Sequence, residues 1–259
     1  MQRNLLLAAT DVTRRFGGLT AVDRVSLALF LGEVHAVIGT NGAGKSTLVN
    51  VLAGELPASS GRVELKGRDV TRWAQPRRAR SGIGRSYQRT TIFPRATVFE
   101  NCRLTAQAHH QRPWDWWNAA ARCHESSRLA HRAIEQAGLS AQTTRVAGTL
   151  SHGQKRQLEI AMCLATEPNV LLLDEPLAGM GAEETERMLA LLSALRPGHA
   201  ILLVEHDMDA VFRIADRITV MVNGAVIASG EPDHIRANAD VQTAYLGDID
   251  APVAAAGAW

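Results

Sequence analysis

The sequence predicts an α/β protein with a mainly parallel core sheet flanked by helices. Two observations carry this prediction. From residue 151 onward, segments with helical spacing alternate with continuous apolar runs, in NVLLLDEP at 169–176 and HAILLVEHD at 199–207. Runs of this kind are typical of parallel strands buried on both faces. Upstream, a glycine-rich segment separates the apolar run VHAVI at 34–38 from the helical pattern KSTLVNVLAG at 45–54.

The remaining elements follow in chain order. Up to about residue 90, short apolar segments separated by turns predict strands, and they read LLLAATDV, VSLALF, EVHAVIG and GRVELKG. Residues 99–147 have few β-branched residues and are rich in Ala, Arg, His and Gln at helical spacing, so they predict helices. The Ala-rich end at 248–259 predicts a loose tail.

This pattern predicts one domain made of two lobes. We expect the domain to cover residues 1–247, with a core lobe of about 1–98 and 148–247 and a helical lobe of about 99–147. The chain of 259 residues is long enough to bury the core of such a domain.

Composition excludes several classes of protein. A hydrophobic content of 46%, a charged content of 21% and a net charge of +2 are ordinary for a globular protein and leave no electrostatic footprint for nucleic acid. The apolar runs are too short to cross a bilayer, so we expect no membrane span. Cys102, Cys123 and Cys163 form no paired motif, which favours reduced thiols in a cytosolic protein.

The strongest motif is GTNGAGKST at 39–47, which fits the phosphate-loop pattern G-x-x-x-x-G-K-[ST]. Glycines let successive backbone N–H groups point into one anion-binding concavity, and the dipole of the following helix adds to it. We expect Lys45 to neutralise phosphate charge and Ser46 to ligate Mg²⁺. The predicted nucleotide-binding residues here are Gly39, Thr40, Asn41, Gly42, Ala43, Gly44, Lys45, Ser46 and Thr47.

Polar side chains end the next two apolar runs. Asp174 and Glu175 follow one buried strand, and His206 follows the other, at what should be the same edge of a parallel sheet. We expect Asp174 to hold the shell of Mg²⁺, Glu175 to act as the general base for an attacking water, and His206 to contact the γ-phosphate.

These motifs, with Gln88 in GRSYQ and LSHGQ at 150–154, stand in the order found in ATP-binding cassette (ABC) ATPases, which the chain resembles over roughly residues 5–247. The resemblance implies the P-loop NTPase fold with an antiparallel β subdomain and a helical subdomain. It also implies ATP and Mg²⁺ as cofactors and head-to-tail pairing of two ATPases, as a homodimer or with a related ATPase.

In that family LSHGQ corresponds to the signature loop, usually LSGGQ, which caps the ATP held by the other subunit. Ser151 offers a hydroxyl and Gly153 a backbone N–H at the start of a helix, where the dipole favours anions. The resemblance adds Gln154 to this set. The loop is therefore expected to be half of a composite site.

Other positions carry over from the resemblance. Phe16 matches the aromatic residue that stacks on adenine, with a core aromatic as the alternative, and Gln88 matches the glutamine that touches Mg²⁺ or water. Three residues depart from the family pattern. Thr40 replaces a proline, His152 replaces a glycine of the signature, and Gly181 replaces an aspartate that makes a contact between subunits.

The separation of about sixty residues between Gln88 and LSHGQ suits a compact helical lobe. The segments RRFGGLTAVDRVSL, GIGRSYQ, VEHDMDAVF and HIRANADVQTAYLGD resemble the ATPases of branched-chain amino acid importers and of their amide and urea relatives. That resemblance implies a peripheral protein on the cytoplasmic face of the inner membrane. It also implies two integral membrane permease subunits and, indirectly, a periplasmic solute-binding protein as partners, with no nucleic acid.

Branched-chain amino acids are the expected substrates, and three alternatives stay open at this point. They are the ATPase of a urea or amide importer, the ATPase of an exporter such as that of lipopolysaccharide export, and a soluble ABC ATPase outside transport. Two apolar features also bear on partners. Ile92 and Phe93 follow Gln88 where the family docks its membrane subunits, and PWDWW at 113–117 predicts a packing patch, with a partner contact as the alternative.

Overall fold

The structure of the protein is a computed structural model that describes residues 4–87, 91–110 and 119–246, with side chains except at 110, 119–123 and 245–246. Gln88, the aromatic segment 113–117 and the predicted tail 248–259 lie outside the described residues. Within the described ranges, no helix is long and apolar enough to cross a membrane.

The described strands are short except for the first two. They are β1 (Leu5–Phe16), β2 (Leu19–Phe30), β3 (Val34–Gly39), β4 (Ser60–Leu65), β5 (Arg68–Asp69), β6 (Ile83–Arg85), β7 (Val170–Asp174), β8 (Ala200–Val204), β9 (Arg217–Val222) and β10 (Ala225–Gly230). The α-helices are α1 (Lys45–Ala53), α2 (Gln75–Arg80), α3 (Val98–His110), α4 (Ala119–Gln136), α5 (His152–Leu164), α6 (Ala182–Leu195), α7 (Met208–Ile214), α8 (Pro232–Ala237) and α9 (Ala239–Leu246).

The strands form two sheets, as the α/β prediction with an antiparallel β subdomain requires. One has the order β10-β9-β3-β8-β7-β6, and every pair in it is parallel except the hairpin of β9 and β10. The other has the order β2-β1-β4-β5 and is antiparallel throughout. The predicted fold class is therefore confirmed.

Strands β7 and β8 read as unbroken apolar runs because both faces of their sheet are covered. Leu171 and Leu173 belong to the cluster that includes apolar residues of helices α3 to α6. Val170 and Leu172 belong to the cluster shared with α1 and the antiparallel sheet. Side chains alternate between the faces of a strand, so one five-residue run serves two cores.

Parallel strands β3, β7 and β8 lie side by side and end at one edge of the sheet. Gly39 ends β3, Asp174 ends β7, and Val204 ends β8 and pairs with Asp174. Ligands of open α/β sheets bind at this carboxyl edge. The fold thus brings the glycine-rich loop, the two carboxylates and His206 to one edge of the sheet.

Candidate functional site

The glycine-rich loop connects β3 to α1, and two of its glycines meet backbone that no side chain could approach. A Cβ at Gly39 would lie 2.2 Å from the carbonyl oxygen of Met221. At Gly44 it would lie 2.1 Å from the carbonyl oxygen of Ala21, and the left-handed φ of 95° also favours glycine there. The sequence therefore needs glycine at both positions to seat the loop on its neighbours.

Lys45 is the first residue of α1 and turns back over the loop. Its Nζ donates hydrogen bonds to the carbonyl oxygens of Gly39 at 2.7 Å and Thr40 at 3.0 Å. Burial lowers the pKa of its ammonium group below the ordinary value, against the opposing attraction of Glu175 and Asp174. A buried cation thus lies in the concavity where the phosphate-loop pattern predicts phosphate.

The two carboxylates follow each other at the end of β7 but differ in setting. Asp174 is buried, and the Ser46 hydroxyl donates to its Oδ1 at 3.4 Å. Burial raises the pKa of Asp174, while the charge of Arg85 and the Ser46 hydrogen bond oppose the rise. Glu175 has a left-handed φ of 51°, a conformation that costs a non-glycine residue about 1–3 kcal/mol and occurs often at functional sites.

Ser46 and Asp174 fit a magnesium ion by the chemistry of their donors. A hydroxyl and a carboxylate oxygen, already within contact distance, are the hard oxygen ligands that Mg²⁺ takes, and substrate phosphates and waters complete such sites. Among the described residues, no three His, Cys, Asp or Glu side chains group together as a metal site. A metal held here would therefore depend on phosphate oxygens.

A cavity of about 400 Å³ opens over the loop, and it has the size of a small-ligand site. Its mouth carries Phe16, 43% exposed, and Leu19, 66% exposed. Because of this exposure Phe16 is a surface aromatic and the core alternative is wrong; the Arg14 guanidinium lies 4.5 Å from its ring centroid. The cavity is lined by Phe16, Leu19, Ala21, Asn41, Gly42, Ala43, Gly44, Lys45, Ser46, Thr47 and Glu175.

His206 follows β8 and its ring is exposed. Its backbone is fixed by Glu205, a residue that sequence reasoning missed. The neighbouring Glu205 is fully buried, and burial raises the pKa of its carboxyl group. Its oxygens accept hydrogen bonds from the backbone N–H groups of Leu177, at 2.7 Å, and His206, at 3.2 Å. One carboxylate thus joins the loop after Glu175 to the loop that carries His206. A carboxylate directly after a buried apolar strand was the available signal.

The signature loop begins α5 and is ordered by its own side chains. Ser151 Oγ accepts a hydrogen bond from the backbone N–H of Gln154, and the Gln154 side chain accepts one from the N–H of Ser151. This reciprocal capping explains the spacing of Ser151 and Gln154. None of residues 150–154 lines the cavity over the phosphate loop.

Instead, Ser151 and Gly153 share an acceptor on α6 that sequence reasoning missed. Glu184 Oε1 accepts from Ser151 Oγ at 2.9 Å and from the backbone N–H of Gly153 at 3.2 Å. Nearby, His152 Nε2 lies 2.9 Å from the carbonyl oxygen of Ala178. Ser151, Gly153 and Glu184 border a second cavity of about 180 Å³.

A buried ion pair of α5, also missed, anchors the chain on both sides of residues 88–90. Arg156 Nη1 lies 2.9 Å from Glu159 Oε2 and donates to the carbonyl oxygen of Tyr87 at 2.8 Å. Glu159 Oε1 accepts from the backbone N–H of Thr91 at 2.9 Å. The helix that carries the signature loop therefore fixes the backbone at Tyr87 and Thr91.

Two sequence-family profiles match segments of this chain. A family profile described as "ABC transporter" matches residues 22–178. A second profile, described as "Branched-chain amino acid ATP-binding cassette transporter", matches residues 225–251. The first match contains the phosphate loop, the signature loop and both carboxylates.

Individual relatives match over most of their length. The chain is 39% identical to the high-affinity branched-chain amino acid transport ATP-binding protein BraF of Pseudomonas aeruginosa, covering 94% of this chain and 98% of the relative. It is 40% identical to the protein LivG of Salmonella typhimurium, described in the same words, with the same coverage. A crystal structure of the ADP conformation of an ATP-binding cassette of an ABC transporter has a TM-score of 0.83 at 30% identity, covering 94% of this chain and 99% of the other.

Proposed function

The chain belongs to the ABC transporter family of ATPases, and from that premise we propose that it powers the import of branched-chain amino acids. The observation that carries this proposal is the match of residues 225–251 to the branched-chain amino acid profile. That segment lies beyond the nucleotide site, so its similarity is separate from the ATPase motifs. The relatives named for branched-chain amino acid transport support the same substrate class.

We propose that ATP is held by the phosphate loop, with the triphosphate against the loop N–H groups and Lys45. Phe16 offers an exposed aromatic face for adenine at the mouth of the same cavity. Ser46 and Asp174 would ligate Mg²⁺, which supplies charge neutralisation on the phosphates when it is bound. Gln88 is proposed as a further ligand of the metal or of water.

Glu175 is the proposed general base. Its backbone N–H donates to the carbonyl oxygen of Val204 at 2.9 Å, and its side chain lines the nucleotide cavity. A carboxylate held there can accept the proton of a water that attacks the γ-phosphate. His206 is proposed to contact the γ-phosphate from the end of the neighbouring strand.

The proposed role of the signature loop also implies that the chain pairs with a second ATPase. We propose that Ser151, Gly153 and Gln154 serve ATP bound to a second ATPase, either another copy or a related chain. Permease subunits would hold the pair at the cytoplasmic face of the membrane, and a periplasmic binding protein would deliver the solute. We also propose the domain division predicted from sequence, with a core lobe of about 1–98 and 148–247 and a helical lobe of about 99–147.

Uptake measurements test the proposed substrate class. Deleting the gene should abolish high-affinity uptake of leucine, isoleucine and valine, and the unaltered gene should restore it. The Glu175→Gln gene should restore the protein but not the uptake. If uptake of the three amino acids is unchanged while uptake of urea or an amide is lost, the substrate proposal is wrong although the ATPase assignment stands.

A further inference from the structure

The donors of the signature loop are already engaged by a carboxylate of the same chain. We propose that Glu184 occupies the place of the γ-phosphate in the signature loop and must leave when a second ATPase presents ATP. Glu184 would thereby set the ATP concentration at which two ATPases pair. This inference rests on the proposed role of Ser151 and Gly153.

The contacts match those expected of a bound phosphate oxygen. A single atom, Glu184 Oε1, accepts both from the Ser151 hydroxyl and from the Gly153 N–H. These are the two donors that the sequence assigns to a partner's γ-phosphate. A carboxylate that accepts two hydrogen bonds at the start of α5 is also favoured by the dipole of that helix.

The carboxyl group of Glu184 also fills the space over the signature loop. A Cβ built on Gly153 would lie 2.7 Å from Glu184 Cδ, so the carboxyl group rests directly against the backbone of the loop. A phosphate group cannot enter that volume while the carboxylate is there. Its negative charge would, in addition, repel an approaching triphosphate.

Glu184 is placed to move, because it stands in the first turn of an exposed helix end. Gly181 precedes α6 without a side-chain cap, and the side chain of Glu184 is only partly buried. His152 links the signature loop to Ala178 in the segment that leads into α6. A shift of residues 178–184 would therefore release the carboxylate and remove the His152 contact together.

The test measures pairing of the full-length chain as a function of MgATP concentration in the Glu175→Gln background, where loss of the proposed base should slow hydrolysis. Light scattering reports the pair, and nucleotide binding to the single chain is measured separately. The variants are Glu184→Gln, which keeps an oxygen acceptor but no charge, and Glu184→Ala. Glu183→Gln is the matched control, since it removes a neighbouring, exposed charge that faces Arg187.

We expect both Glu184 variants to lower the ATP concentration for half-maximal pairing by about 3- to 10-fold, because a charged acceptor no longer competes for the two donors. Nucleotide binding to the single chain should stay at the parent value in both Glu184 variants. The Glu183→Gln variant should pair at the same ATP concentration as the parent. A residue that merely braces the loop would not lower the threshold.

An unchanged or raised threshold in both Glu184 variants overturns this inference while leaving the composite site intact. Absence of pairing by the parent at any ATP concentration, with itself and with a related ATPase from the same transporter, overturns the composite site and this inference with it. The two failures are therefore distinguishable.

Discussion

The phosphate loop and the signature loop are both glycine-containing turns at a helix start, yet they are completed differently. The phosphate loop has its own cation, Lys45, and opens into a cavity that also contains Glu175. Among the described residues, no Lys or Arg side chain hydrogen-bonds to the signature loop, and the loop directs two donors at Glu184. One loop belongs to a site that a single chain can assemble, whereas the other offers donors without a nucleotide cavity of its own.

The largest expected effect comes from removing the cation of the phosphate loop. Lys45→Ala should reduce ATP hydrolysis by at least about 10³-fold, because a buried positive charge aimed at the phosphates is lost. The measurement is the steady-state release of phosphate. Lys66→Ala, in the turn between β4 and β5, is the charge-matched control and should hydrolyse ATP like the parent. Parent-like turnover by Lys45→Ala would refute the assignment of this loop.

Removing the proposed base should separate chemistry from binding. Glu175→Gln should slow hydrolysis by about 10²–10⁴-fold, while MgATP binding stays near the parent value, since Ser46 and Asp174 still supply the metal ligands. Binding is measured by titration calorimetry and hydrolysis by phosphate release. If the Gln variant hydrolyses ATP normally, the base lies elsewhere, and His206 is the next residue to replace.

Blocking the signature loop should spare the phosphate loop of the same chain. Ser151→Arg places a long cation where a partner's nucleotide would approach, so pairing should fall by about 10-fold or more. MgATP binding to the single chain should be unchanged. Loss of ATP binding by the isolated Ser151→Arg chain would mean that the loop serves its own subunit, and the comparison between the loops would be wrong.

A smaller effect distinguishes two glycines of the phosphate loop. Gly42→Ala should lower stability by about 1–2 kcal/mol, because alanine is strained at its left-handed φ of 81° although the space around it is open. Gly44→Ala should lower stability further and weaken nucleotide binding, since its Cβ would also overlap the carbonyl oxygen of Ala21. Equal unfolding midpoints in denaturant would contradict this account of the loop.

The sequence predicted those features of the site that depend on local pattern. Buried runs identified β7 and β8, and glycine spacing identified the phosphate loop with Lys45. The contacts of Glu184, Glu205 and Arg156 were not predicted. A charged residue near a helix start or on a helix usually faces solvent. The long-range partners of these three residues, Ser151, Leu177 and Tyr87, lie about 30 to 70 positions away in the chain. Only the folded chain brings them together.

The central claim, that one chain holds ATP and another caps it, is tested most directly by a mixed pair. One chain carries Lys45→Ala and the other Ser151→Arg, so both defects fall on one composite site and the second site is whole. The measurement is ATP-dependent pairing of the mixture and of each variant alone, detected by a distinct fluorescent label on each chain. We expect the mixture to pair at ATP concentrations where neither variant pairs with itself. If the mixture pairs no better than the two separate variants, the two loops do not share a nucleotide and the claim is wrong.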